Sequence, residues 1–352
     1  MPDITAAGTP MSGTRRSLRQ VLRSTLTVIC RRTWLRRTVG VAVVLLALIG
    51  AGGIVRTFTA APEVGFFTSA EGRRDYVEKY QRAMRALPAA SIIHDVATGY
   101  GTIRAYEWST PDTAATVPVL LLPGHSSGVP MWAENLPGFL AGHRVIALDA
   151  LGDAGLSVQA VPIATMADQA TWIDEVVQRL APGGVHVVGH SFGGATAAAY
   201  ARHHPDHVRS LVLLEPVFTF GYPPASTFWW ATVSSIPWLP ETWRESALGR
   251  IGGVDYDSAD PIAQMIASAS RHYTARLPTP SPLSQAEVDA LTMPVYLGLG
   301  GAESLAGSDA AARAGRLPRG TVEVWPGATH SLPMQQAGPL AQRLTGFWAA
   351  AS

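Results

Sequence analysis

Cysteine is almost missing from this chain: one residue, Cys30, in 352. A single thiol excludes an internal disulfide framework and any cysteine metal cluster. Lysine is as scarce, with Lys79 alone among 27 basic residues. The remainder are arginine, a bias from which no function follows. Charge is thin overall: 15% of residues are Asp, Glu, Lys or Arg, against 47% hydrophobic. That balance suits a packed core and argues against disorder. The sequence shows no metal-ligand spacing, phosphate-cradling glycine loop, dinucleotide fingerprint or internal repeat. Neither a cofactor nor a metal is expected.

The formal net charge of +1 conceals an asymmetry. Residues 1–37 hold eight arginines and one acid, Asp3, which leaves 19 basic and 25 acidic residues in the rest. A body with six net negative charges is a poor nucleic-acid binder. The basic arm is better explained by the apolar run next to it. Residues 1–38 read as a polar, basic cytoplasmic tail, and 39–55 form an uninterrupted run of Val, Ala, Leu, Ile and Gly closed by Arg56. About 17 residues is the short end for a spanning helix. Arginines crowd its N-terminal side, so the tail should stay inside and the body should cross. A cleaved export signal is the alternative, with a small-residue site near Thr59-Ala60-Ala61. Arg31-Arg32-Thr33-Trp34-Leu35-Arg36 also resembles a twin-arginine signal. A buried core helix is the third reading. The first two place the body outside the cytoplasm, either membrane-tethered by a single pass or exported.

Beyond the run, strand and helix patterns alternate. Residues 66–87 read as an amphipathic helix with Tyr76, Tyr80, Met84 and Leu87 on one face. A hairpin is expected over 92–108, turning at Gly99-Tyr100-Gly101. Apolar runs at 117–122, 144–148, 184–189, 208–214, 295–299 and 322–325 read as buried strands. Helices are expected over 166–180, from 195, over about 308–316 and from about 335 to 350. Residues 217–288 break the rhythm: they are rich in Pro and aromatics, and no strand is expected there. Alternation of this kind means right-handed crossovers and a mostly parallel sheet, with reactive groups at the strands' carboxyl ends.

One stretch stands out. Val185 to Val188 runs into Gly189-His190-Ser191-Phe192-Gly193-Gly194, and small helix-forming residues come at once after it. Strand, sharp turn and helix around G-x-S-x-G present a serine hydroxyl at the strand's carboxyl end. The bland alternative is a glycine-rich turn whose serine only caps the helix. A serine is a poor nucleophile near neutral pH and needs a base, and the base needs an orienting carboxylate. His330, in a short loop after the last strand, is the best base among ten histidines. Glu303 comes after the strand at 295–299 and is the favoured acid. Glu215, just past the strand at 208–214, is the alternative. The oxyanion of an acyl-transfer intermediate needs backbone donors. Phe192 N–H is one candidate, and His125 N–H, in the turn after 117–122, is the other. Asp149 and Asp153 read as structural.

From about residue 66 onward the chain resembles the α/β-hydrolase superfamily of serine hydrolases. The resemblance rests on the G-x-S-x-G stretch, Pro123-Gly124-His125, Asp149 with Gly152-Asp153-Ala154-Gly155-Leu156-Ser157, Gly300-Gly301-Ala302-Glu303 and Gly327-Ala328-Thr329-His330. It departs from the family at the oxyanion turn, where Pro123 replaces the usual His, and at the acid, where Glu replaces the usual Asp. It implies an α/β fold with a mostly parallel central sheet flanked by helices. A first core part at 66–216 and a second at 289–352 would enclose a helical cap at 217–288. Most of the cap's aromatics would be core, and a minority would line an apolar pocket. A serine at the elbow argues against dehalogenase and epoxide hydrolase chemistry, which use Asp. The expected activity is carboxylic ester hydrolysis on small to medium apolar substrates. Carbon–carbon bond, lactone or amide hydrolysis, or a non-catalytic surface-anchored binding module, are the alternatives.

Overall fold

The computed structural model describes residues 63–351. The N-terminal readings, the basic tail and the 39–55 run included, fall outside the described residues. Among the described residues no helix is long and apolar enough to cross a membrane.

A nine-stranded sheet forms the centre. In chain order the strands of the molecule are β1 (Phe66–Phe67), β2 (Ile92–Thr98), β3 (Gly101–Trp108), β4 (Val119–Leu122), β5 (Val145–Leu148), β6 (Val158–Gln159), β7 (Val185–His190), β8 (Val208–Leu214), β9 (Tyr273–Thr274), β10 (Val295–Gly300) and β11 (Gly320–Trp325). The sheet order is β11-β10-β8-β7-β4-β5-β3-β2, and β6 pairs with β3. From β11 to β5 all pairings are parallel, and the β2–β3 hairpin closes the edge antiparallel. The expected strands are present, with ends shifted by a residue or two. The two-residue strands have no counterpart in the sequence pattern, because so short a segment carries no periodicity.

The central strands are apolar at every position because both faces are covered. Along β4, Val119 and Leu121 face one apolar cluster, while Leu120 and Leu122 face the other. Leu211 and Leu213 of β8 alternate in the same way with Val212 and Leu214. One cluster packs under helices α2 (Met166–Leu180) and α3 (Phe192–His203), through Trp172, Ile173, Val176, Ala197 and Tyr200. Helix α1 (Ala70–Met84) covers the other face with Tyr76, Tyr80 and Ala83.

Helix α1 is shorter than the 66–87 pattern suggests. Ser69 caps it by accepting from Gly72 N–H. Phe66 and Phe67 instead pair as β1 with β9, whose residues lie in the 217–288 segment, where the composition predicts no strand. That segment otherwise folds as helices: α4 (Ala225–Ser235), α5 (Glu241–Gly252) and α6 (Pro261–His272), with a single turn at Gln285–Asp289. Its aromatics depart from expectation. Phe220 is fully buried, but Tyr222, Phe228, Trp229, Trp238 and Trp243 are exposed. The last helical stretch is broken at Gln336 into Leu332–Gln335 and α7 (Ala337–Ala351).

Candidate active site

The chain crosses the sheet from β4 to β5 on one side, then returns to place β7 on the other side of β4. The connections out of β4 and β7 therefore diverge, leaving a crevice at their carboxyl ends where side chains converge. Ser191 sits directly past β7. Its backbone has φ 53° and ψ −121°, a conformation that costs on the order of 1–3 kcal/mol for a residue with a Cβ. The surroundings hold it there. Ser191 N–H donates to Leu214 O at 3.1 Å, and Ser191 O accepts from Gly194 N–H at 3.0 Å and Val217 N–H at 3.3 Å. Gly193 makes the approach of α3 possible: a Cβ there would lie 2.4 Å from Leu122 O. At Gly189 it would lie 2.3 Å from Gly193 O.

His330 lies past β11, and its loop reaches back over β10 and β8. Ser191 Oγ and His330 Nε2 are 2.9 Å apart. On the far side of the ring, Nδ1 is 3.2 Å from Glu215 Oε2. A carboxylate only accepts, so Nδ1 carries the proton and Nε2 is left to accept from the Ser191 hydroxyl. Glu215 is fully buried and has φ 49°, a second strained residue at the rim. Three donors converge on its carboxylate: Gly300 N–H at 2.6 Å, Ser304 Oγ–H at 2.7 Å and Leu305 N–H at 2.8 Å. Those donors replace the water that an anion loses on burial.

The structure therefore pairs His330 with Glu215, the alternative acid, and not with Glu303. Glu303 is exposed and faces a polar cleft beside Glu245, Arg250 and Asp255. Its strand, β10, lies one place further from β7, and its loop turns its side chain outward. Ser304 and Leu305, the residues directly after it, point their donors inward at Glu215.

His190 carries no signal in the sequence beyond its place in the motif. It is buried, and its Nε2–H donates to the His330 carbonyl at 2.9 Å. Burial and the neighbouring His330 ring push its pKa down to about 3, so it stays neutral. It thus fixes the backbone of His330 without adding charge. The His330 loop is further braced by Thr329. Thr329 N–H donates to Gln335 Oε1, and its hydroxyl donates to Gly252 O at the end of α5. Ser331 Oγ–H donates to the same carbonyl, so the helical segment is tied to the loop.

The turn after β4 lies against the elbow. A Cβ at Gly124 would stand 3.2 Å from Ser191 Cβ. Two aspartates pin this turn. Asp153 Oδ2 accepts Ser126 N–H at 2.7 Å and lies 3.1 Å from His125 Nδ1. The Asp153 charge pulls the His125 pKa upward. Asp149 Oδ1 accepts Val129 N–H at 3.0 Å, and Oδ2 accepts Leu156 N–H at 2.8 Å. Burial raises Asp149 to about 6, with those bonds opposing the shift. Among the described residues no hydrogen bond engages the amides of Phe192 or His125. Ser126, at φ 60°, is the third strained residue here.

One His and Asp cluster lies elsewhere. Asp174, His204 and His207 bring their ligand atoms within 4.8 Å of one another. Asp174 Oδ1 accepts from His207 Nδ1–H at 2.6 Å and from Tyr200 OH at 3.3 Å. These bonds join α2 to the end of α3.

A family model described as "alpha/beta hydrolase fold" matches residues 117–253. An uncharacterised carboxylesterase, Nap, of Bacillus subtilis is 27% identical over 145 residues, 41% of this chain and 47% of that protein. A 2-hydroxymuconate semialdehyde hydrolase of a Pseudomonas species is 36% identical over 109 residues, 29% of this chain and 38% of that one. The chain thus spans about half the length, or less, of these curated relatives. In three dimensions the likeness extends further. The crystal structure of carboxylesterase CesB (YbfK) from Bacillus subtilis superposes with a TM-score of 0.72 at 23% identity, covering 80% of this chain and 99% of that one. Sheet order, elbow, family model and superposition together make this chain a protein of the α/β-hydrolase fold with carboxylesterase homologues.

Proposed function

We propose that this protein is a serine hydrolase that cleaves carboxylic esters of small to medium, largely apolar substrates through an acyl-enzyme. The observation that carries the reading is the continuous relay from Ser191 Oγ through His330 to a fully buried Glu215. Ser191 Oγ attacks the ester carbonyl while His330 Nε2 takes its proton. In this reading the amides of Phe192 and His125 receive the resulting oxyanion, each such donor being worth roughly 3 kcal/mol of barrier. His330 then gives the proton to the departing alcohol, and water attacks the acyl-Ser191 ester by the same relay. Glu215 keeps the proton on Nδ1 and stabilises the imidazolium as it forms.

Ester cleavage agrees with the carboxylesterase names of relatives. Carbon–carbon bond hydrolysis is the second reading, favoured by the 36% identity to a semialdehyde hydrolase. Lactone and amide hydrolysis would need only the same relay. A purely binding role leaves the relay and the strained elbow without purpose. In the same reading residues 39–55 anchor the chain in a membrane, with the body outside the cytoplasm.

The test is Ser191→Ala. It should abolish fluorophosphonate labelling and lower p-nitrophenyl ester turnover by on the order of 10⁴-fold or more. Unchanged labelling in that variant rules out the mechanism, and a panel of esters, lactones, amides and β-diketones separates the substrate classes.

A further inference from the structure

We propose that the exposed aromatic face of α4, α5 and the loop between them seats the body on an uncharged lipid surface. Between Glu215 and Glu241 the chain has no charged residue and no histidine. Such a stretch is ordinary in a core, and its first part through Phe220 is largely buried, but most of 222–240 is exposed. Trp238 is 83% exposed, Trp229 63%, Trp243 61% and Phe228 50%. Soluble surfaces are normally about a quarter to a third charged, and clustered exposed aromatics mark interaction sites. Pro237 and Pro240 flank Trp238-Leu239 and restrict the backbone of that loop.

The composition identifies the occupant. Tryptophan has an apolar body and one N–H, which is the chemistry of the bilayer's interfacial belt. Protein-binding patches usually mix aromatics with arginine; α4 and the loop have none, and Arg244, beside Trp243, is buried and donates to Ser234 O. The first charge after the loop is Glu241, which is neutralised by an ion pair with Arg271. Nothing in α4 or the loop attracts anionic headgroups, and the body's negative charge opposes them. The attraction must therefore be apolar and insensitive to salt.

The course of the chain supports the same occupant. Ten residues, 56–65, separate the apolar run from β1, which is paired with β9. Strand β9 directly continues α6, which packs on both α4 and α5. The first strand of the described body thus lies beside the end of α6, the helix that packs on those carrying the aromatics.

The described body carries its own sheet and both apolar clusters, so a chain of residues 62–352 folds without the run and isolates the patch. The experiment is flotation of this body with phosphatidylcholine vesicles at low and high salt. Binding is expected, equal at both salt concentrations. The combined variant Trp229→Ser, Trp238→Ser, Trp243→Ser should reduce the bound fraction about tenfold or more. None of these residues takes part in the relay, so turnover of a soluble p-nitrophenyl ester should be unchanged. That separates this proposal from the proposed reaction: either can fail alone. Should the combined variant fold poorly, Trp238→Ser alone, read by quenching of tryptophan emission with brominated lipid, serves in its place. A body that does not float, or a variant that floats equally well, overturns the proposal. So does binding that needs anionic lipid and vanishes in salt. A body that dimerises through these tryptophans and ignores vesicles makes the occupant a second copy, which also overturns it.

Discussion

At the scale of single residues, the acid is the instructive case. Two glutamates lie past two adjacent strands, and chain spacing alone cannot say which turns inward. Glu215 is the first residue after β8, in a left-handed conformation, and receives three donors from the 300–305 loop. Glu303 sits in the middle of that loop and is exposed. Glu215→Gln should lower ester turnover by on the order of 10³–10⁴-fold by spoiling the His330 tautomer, whereas Glu303→Gln should stay within about twofold of wild type. Equal losses in both variants would return the acid to dispute. A signal for Glu215 is present in the sequence: a lone charge ending the run Leu211-Val212-Leu213-Leu214, with Pro216-Val217 directly after it. Asp149 offers a pH test. Its pKa is about 6 in the folded protein against roughly 3.9 unfolded, so its protonated form favours folding. That stability is fully present below pH ~4 and is lost as pH rises through about 6. Asp149→Asn breaks backbone bonds and destabilises, but lacks this titration. The gap between variant and wild type should therefore shrink by on the order of 3 kcal/mol from pH 4 to pH 7 in denaturant unfolding.

At the scale of elements, the strand, turn and helix of the elbow are legible because every feature is local: a β-branched run, glycines where bulk is forbidden, then small helix formers. The tightness of the fit is not legible. A methyl at Gly193 would meet the Leu122 and Pro123 carbonyl oxygens, which belong to the end of β4 and its turn and cannot move aside. Gly193→Ala should destabilise by about 3 kcal/mol or more and abolish activity. Gly346, exposed within α7 with open space at its Cβ position, is the control. Gly346→Ala should stabilise by about 0.5–1 kcal/mol, read from thermal midpoints. Element ends are less readable. The 66–87 pattern carries helix periodicity past its true start, because Phe66 and Phe67 instead pair as β1, with Phe67 packed on the core. The aromatics of 217–288 mislead in the opposite direction: composition suggests core, and Tyr222, Phe228, Trp229, Trp238 and Trp243 face solvent.

At the scale of the whole molecule, the site exists because parallel strands deliver their carboxyl ends to one rim. Two residues 139 positions apart, Ser191 and His330, meet there. Attachment can be checked at the same scale. If residues 39–55 are a retained anchor, the full chain should stay with membranes through an alkaline carbonate wash, and a chain beginning at residue 62 should be washed off. A mature N-terminus near Ala61 would instead mark a cleaved signal. The amino-acid sequence by itself determined the strand and helix alternation, the mostly parallel sheet, the nucleophile candidate and the histidine candidate. Each of these rests on short-range periodicity and turn chemistry, which neighbouring residues dictate. Only the tertiary structure decided which glutamate faces His330, that His190 fixes the His330 backbone, and which aromatics meet solvent. Those depend on how separate strands register and which way loops turn at their ends, and both are set by packing between segments far apart in the chain.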